Sequence, residues 1–440
     1  MQADPAWVGR VRSRLSERLE SGVDRPIALA LSGGGDSMAL LRVAADWARD
    51  NGRGLLALTV DHGLNPESVG WTAFAREAAH AVGAEWRGLT WSGGKPANGL
   101  PAAARRARHA LIADAARDAG ARVILFGHTG DDVAEADLMR DQGSTLGRVR
   151  DWSPSPVWPE GRELMVSRPM LDVGRADLRD GLRARRVPWL DDPANEDRRF
   201  ARSRARISLL PAGDGGRDEP GRMRGDRRRT DAALPHPPGR LMGVPLPRHL
   251  GEGAIALDRS IPATALAVAL VCVGGGERLP RGDRLEGLVT RLRSGEAFAA
   301  TLCGARLEAT ADGVFITREA GEFARRRVTP LPLQPGVDTA WDGRYLLTVD
   351  DPGWSVAPAA NRMATLGKAD RAWLNALPAA ARGPQPVLIR DGPGGAVLAV
   401  PAGKARSLVE ERLALALDRM SHEREVGAHI HGAMPPNPLF

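Results

Sequence analysis

Up to about residue 210 the chain alternates short β-type runs, IALAL (27–31), LLALTV (55–60), EWRGLT (85–90) and RVILF (122–126), with amphipathic stretches such as SMALLRVAADWARD and GLPAAARRARHALIADAARDAG. Such alternation predicts an α/β fold, a parallel sheet with helices on both faces. In that architecture ligands sit beyond the carboxyl ends of the strands. Residues that follow strands are therefore the ones to examine for chemistry.

The 440 residues suggest two or three domains at roughly 100–200 residues each. The alternating region ends at SLLP, so residues 1–211 are expected to form the first domain. Residues 212–260 open with a stretch rich in Arg, Pro and Gly and without helical or strand periodicity, expected to be a linker or divergent arm. Periodicity returns near Ile261, predicting a middle α/β region over 261–327. A Pro-rich break at 328–336 then opens a small C-terminal domain, 328–440, with strands at RYLLTVD and PVLIRD and a helix at KARSLVEERLALALDRM. The last residues, GAHIHGAMPPNPLF, read as a frayed tail whose two histidines belong to the tail rather than to a metal site.

Composition narrows the function classes. The formal charge of +7 is carried almost wholly by arginine, the only lysines being Lys95, Lys368 and Lys404. Guanidinium stays charged, forks onto phosphate and stacks on bases, which makes a nucleic acid a reasonable partner; a coding bias toward arginine is the bland alternative. Cys272 and Cys303 stand far apart without a CxxC, which argues against a zinc ribbon, an iron–sulfur cluster or a disulfide scaffold and fits a reducing cytoplasm. The N-terminus lacks the apolar core of a signal peptide, and the longest apolar run, ALAVALVCV (265–273), is too short to span a bilayer. No membrane partner is expected.

In LALSGGGDS an apolar run delivers Ser32, Gly33, Gly34, Gly35, Asp36 and Ser37 to the start of a helix whose apolar positions include Met38, Leu41 and Ala45. Three consecutive glycines let the backbone bend and approach a ligand closely, and converging N–H groups at a helix N-terminus form an anion site. The two serine hydroxyls can donate to the same oxygens. No lysine follows, so this is not the loop G-x-x-x-x-G-K-[ST]. Asp36 beside phosphate makes sense if it holds a magnesium ion or orients a reacting group. A glycine turn capped by Ser37 or Asp36 is the structural alternative.

Two further sets follow strands. LTVDHGLNPES places Asp61 and His62 after the second run, and LFGHTGDDVAEADLMR follows the fourth. A helix from Gly130 puts Asp131 and Glu135 four apart and Asp132 and Glu135 three apart, on one face. Carboxylates so close suggest a divalent cation or an ammonium group. Against that, Thr129 and Asp132 have the spacing of a helix cap.

SGGGDS matches the SGGxDS signature of the PP-loop, or N-type, ATP pyrophosphatases. The DHGL segment, HTGDDVAEA (similar to HHxDDQxET), ARRARHALI (similar to ARxxRYxxL), SRPML and DDPANEDRRFARSRARISLLP together resemble the tRNA(Ile)-lysidine synthetases over residues 27 to about 211. Departures are Thr129 for the second histidine, Val133 for glutamine, Ala136 for threonine, His109 for an aromatic residue, and the loop QGSTLG. The helical arm expected after LLP is replaced by the Arg/Pro/Gly stretch.

The resemblance implies a PP-loop catalytic domain at 1–211, with ATP bound by Ser32 to Ser37 together with Asp61 and His62. It further implies adenylation of the wobble cytidine of tRNA(Ile), attack by free L-lysine, and release of AMP. Asp36, Asp132 and Glu135 would be catalytic, Asp36 holding magnesium, with Asp132 and Glu135 recognising lysine or the metal. Arg105, Arg108, Arg202 and Arg206 would meet phosphate, a solvated helix face being their alternative. The C-terminal region would touch tRNA, and a homodimer stays open. Rival readings are a PP-loop enzyme of another tRNA modification, disfavoured for thiolation by the absence of cysteine before Cys272, and a catalytically impaired, nucleotide-gated RNA-binding paralogue.

Overall fold

The computed structural model of the chain describes residues 4–143, 148–191, 201–209, 248–249, 253–280, 282–311, 313–390, 395–417 and 420–426. They fall into two compact units, Met1–Arg240 with Met420–Phe440, and Leu241–Arg419.

The first unit runs α1 (Ala6–Arg18), β1 (Ile27–Ala30), α2 (Gly35–Asp50), β2 (Leu55–Asp61), α3 (Ser68–Ala81), β3 (Glu85–Thr90), α4 (Leu100–Asp118), β4 (Val123–Leu125), α5 (Gly130–Asp141), β5 (Trp152–Pro154), β6 (Met165–Ser167), α6 (Arg175–Ala184) and α7 (Ala201–Leu209). All four runs read from the sequence are strands of one sheet, in the order β3-β2-β1-β4-β6-β5. Pairing is parallel throughout, as in Ile27 with Leu55 and Ala28 with Ile124, except that β5 runs antiparallel against β6. β5 and β6 were not foreseen. Three residues are too few to show a period, and the second of them overlaps the stretch read as SRPML only at Ser167.

β1 is central and buried on both faces, with Ile27, Ala28 and Leu29 almost without solvent contact, which is why its sequence is apolar without alternation. Ile112, Ala113 and Ala116 of α4 pack over Ala28, Leu56, Leu58 and Ile124 on one face. α2 is buried along nearly its whole length, and Trp47 ties it to α1 through a hydrogen bond from Nε1 to Ser16 Oγ at 2.8 Å. After β1 the chain turns to β2 on one side, whereas β4 lies on the other. This is the switch point at which a doubly wound sheet opens a crevice.

Residues 420–426 close the first unit. Glu423 makes a bidentate pair with Arg53, both contacts 2.9 Å and both side chains fully buried. Its Oε2 also accepts from Glu20 N at 2.9 Å, and Arg53 Nε donates to the Arg25 carbonyl at 3.0 Å. Trp152 Nε1 donates to the Met420 carbonyl at 2.8 Å, and Val426 is buried. The tail read at 427–440 lies outside the described residues.

The second unit contains a five-stranded antiparallel sheet in which Ala305–Thr310 pairs with both Gly313–Arg318 and Phe298–Leu302. Ile255–Leu257, within the stretch read as a linker, is a strand of it, paired with Gly313–Arg318. The helix Ala263–Gly274 covers this sheet, and Val409, Leu413 and Leu417 join the same core. The helix read at 404–420 is shorter: Ala405–Ser407 is a strand and Val409–Ala416 the helix. Two smaller antiparallel sheets complete the unit.

Candidate functional site

The glycine loop leaves β1 and enters α2 with Gly34 as its cap residue and no side chain accepting from the first turn. The amides of Gly35, Asp36 and Ser37 have no carbonyl one turn earlier to bond, so they remain donors at the positive end of the helix. Gly33 is left-handed at φ +82, and a Cβ there would stand 2.8 Å from Leu190 Cδ1. The Gly33 carbonyl accepts from Leu190 N at 2.9 Å, which fixes the loop from behind. Ser37 is buried and donates from Oγ to the Gly34 carbonyl at 2.9 Å, while Ser32 Oγ lies 3.1 Å from Ser37 Oγ. The Ser37 hydroxyl thus braces the loop, and the exposed Ser32 is the serine at the surface.

The loop after β4 lies against this turn. A Cβ on Gly127 would come within 3.1 Å of the Asp36 carbonyl and the Ser37 amide nitrogen, so any larger residue would push the first turn of α2 by a few tenths of an ångström. α5 then starts at Gly130 with the capping box that the spacing of Thr129 and Asp132 allowed: Asp132 Oδ2 accepts from Thr129 N at 2.8 Å and from Thr129 Oγ1 at 3.1 Å. Asp132 and Glu135 are both buried.

Arg175, the first residue of α6, joins these acids. Its Nε meets Asp36 Oδ2 at 3.0 Å, Nη1 meets Glu135 Oε1 at 3.4 Å, and Nη2 lies 3.6 Å from Asp132 Oδ2. Its own amide donates to Asp131 Oδ2 at 2.7 Å. Arg206 of α7 adds a second cation to Glu135, Nε to Oε1 at 2.8 Å. Burial raises the Asp36 carboxyl above its ordinary value, with Arg175 opposing the rise and the Asp132 charge adding to it.

Asp36, Asp132 and Glu135 are therefore gathered around one guanidinium, and Arg206 joins the group through Glu135. Asp61 ends β2 on the other side of β1 and His62 follows it: Asp61 Oδ1 accepts from Gly63 N at 2.7 Å, and His62 stands edge-on to Trp91 with ring centroids 6.1 Å apart. Burial, then the charge of Arg108, lowers the His62 pKa. Arg105 and Arg108 lie on α4, and the side chain of Arg202 lies outside the described residues. Burial, reinforced by Arg105 and Arg108, pushes His109 down to about 2. Arg175 and Gly127 were missed in the sequence. The signal available for Arg175 was an arginine directly after Gly174 at a helix start beyond a strand.

Among the described residues no group of three or more His, Cys, Asp or Glu side chains is arranged to hold a metal ion. No helix among them is long and apolar enough to cross a membrane. Both cysteines belong to the second unit.

A phosphate-sized row of free amides at the switch point of a parallel sheet, with carboxylates held beside it, defines a PP-loop protein that uses ATP. A family model described as a PP-loop domain matches residues 9–213. The chain is 46% identical over 428 residues to the tRNA(Ile)-lysidine synthase of Caulobacter vibrioides, spanning 94% of this chain and 98% of that one. The enzyme of the same name from Mesorhizobium japonicum is 36% identical, over 77% of this chain and 76% of its own. Among solved structures, the U34-tRNA thiolase NcsA of Methanococcus maripaludis aligns with a TM-score of 0.39 at 16% identity, over 46% of this chain and 72% of that one. The chain belongs to the tRNA(Ile)-lysidine synthase family of ligases.

Proposed function

We propose that the protein joins L-lysine to C2 of the wobble cytidine of an isoleucine tRNA with a CAU anticodon. The observation that carries this reading is the meeting of the two half-sites, the free amides of the glycine loop and the carboxylates of α5, around Arg175. In the first step the C2 oxygen of cytidine attacks the α-phosphorus of ATP, pyrophosphate leaves, and C2 becomes electrophilic. In the second the ε-amine of lysine attacks C2, loses a proton, and expels AMP to give lysidine.

The amides of Gly35, Asp36 and Ser37 hold the polyphosphate as charge develops on it. Ser32, Gly33 and Gly34 shape that cradle, and Asp61 and His62 flank the nucleotide. Glu135 and Asp132 offer negative charge to the amine, and Arg105, Arg108, Arg202 and Arg206 take phosphate. A magnesium ion fits the residues present: Asp36 uses only Oδ2 on Arg175, and a single carboxylate plus phosphate oxygens is the ordinary donor set for this ion. When bound by Asp36 it would neutralise the polyphosphate. The arginine-rich composition supports tRNA contact by the second unit, and cytoplasmic work, with a homodimer as its assembly to be tested, completes the reading.

Reconstitution tests it. AMP should form only when ATP, lysine and the CAU tRNA are all present, and Asp36→Ala should abolish it. RNA retained without AMP formation would instead mark a binding paralogue, and AMP formation with other amines would displace lysine.

A further inference from the structure

An acidic residue in a polyphosphate cradle is an electrostatic liability. The loop has no lysine after its glycines, and Asp36 stands within the first turn of α2, beside the very amides that would meet phosphate. Its carboxylate would repel that ligand unless a cation cancelled it. α6 supplies one: the Arg175 side chain, 15% exposed, reaches Asp36, Glu135 and Asp132 from a different element, and its backbone amide is pinned by Asp131. Asp131 thereby caps α6 from α5, so the guanidinium's position is set by the same helix whose acids it gathers. Arg179, one turn further along α6, is engaged with Asp191 at 2.6 Å.

We infer that Arg175 is a positioning residue that supplies, from α6, the positive charge the glycine loop lacks, cancelling Asp36 so that ATP can enter. The inference rests on the function proposed above and assigns a division of labour within it. Loss of Arg175 removes the guanidinium that touches Asp36 and leaves the negative charge of Asp36 beside those of Asp132 and Glu135. That excess negative charge weakens ATP and does not weaken a cationic amine. The ATP dissociation constant and the lysine KM therefore move apart, which a residue that merely held the fold together would not cause.

The test measures ATP dissociation constants by equilibrium dialysis on the full chain, and lysine KM by AMP release with tRNA. Arg175→Met should weaken ATP by about tenfold or more, the scale of one unshielded charge beside a polyphosphate, while lysine KM does not rise. Arg175→Lys should stay within about threefold of the wild type, because it keeps the charge. The double variant Arg175→Met with Asp36→Asn should return to within about threefold of Asp36→Asn alone, showing that the two residues act on each other. An unchanged ATP affinity in Arg175→Met, an equal loss with and without Asp36, or lysine KM rising in step with ATP would overturn the inference. If Arg175→Met does not fold, Arg175→Lys decides: affinity within threefold supports the role and a tenfold loss overturns it. A wild-type chain that retains no ATP would overturn the underlying function itself, a result distinct from any pattern among the variants.

Discussion

Replacing Glu423 by alanine should strongly destabilise the catalytic unit although the residue is nowhere near the glycine loop in sequence. Arg53 and Glu423 are both fully buried, share two contacts of 2.9 Å, and are 370 residues apart. The substitution strands the Arg53 guanidinium with only the carbonyls of Arg25 and Glu20 and also frees the Glu20 amide. Breaking one partner of a buried pair costs about 3–5 kcal/mol, a large part of the roughly 5–15 kcal/mol that hold a domain together. With a urea dependence of about 2 kcal/mol per molar, the midpoint should fall by about 2 M. The assay is urea unfolding followed by tryptophan fluorescence, for which Trp47 and Trp152 lie in this unit and Trp152 bonds the same segment. Replacing both partners with apolar residues, Arg53→Met with Glu423→Leu, should recover most of the loss. A Glu423→Ala midpoint equal to the wild type would refute the claim that this pair seals the unit.

Gly33→Ala must adopt φ +82 and place a Cβ 2.8 Å from Leu190, so it should lose about 1–2 kcal/mol of stability and most ATP-dependent AMP release. Gly127→Ala presses on the first turn of α2, with its Cβ 3.1 Å from Asp36 and Ser37 backbone atoms; ATP KM should rise severalfold while the melting temperature moves little. His109 sets a pH dependence. Its folded pKa of about 2 lies below the ordinary 6.5, so the unfolded chain binds the extra proton, and stability is complete above 6.5 and declines as pH falls. By pH 5 this one group should cost about 2 kcal/mol, and urea midpoints measured from pH 7.5 to 5 should fall less steeply in His109→Phe.

The sequence shows the glycine loop plainly, because three glycines between an apolar run and an amphipathic helix have few other uses. The acids of α5 were equally visible, since helical spacing alone puts Glu135 on the face of Asp131 and Asp132. Thr129 and Asp132 show how both readings of one pattern hold together, for Asp132 caps its helix and still lies 3.6 Å from Arg175. Arg175 could not be found this way. Among so many arginines its importance comes only from where α6 begins relative to α2 and α5, which is decided by β6, a strand of three residues with no period to read. Arg53 and Glu423 were illegible for a related reason, because nothing local distinguishes two residues destined to meet from opposite ends of the chain.

That meeting fixes a timetable for synthesis. The ribosome makes Glu423 370 residues after Arg53. At about 5–20 residues per second the earlier half waits roughly 20–70 s for its counter-charge. A chain that has not yet reached Glu423 carries the nucleotide cradle with Arg53 still lacking its counter-charge.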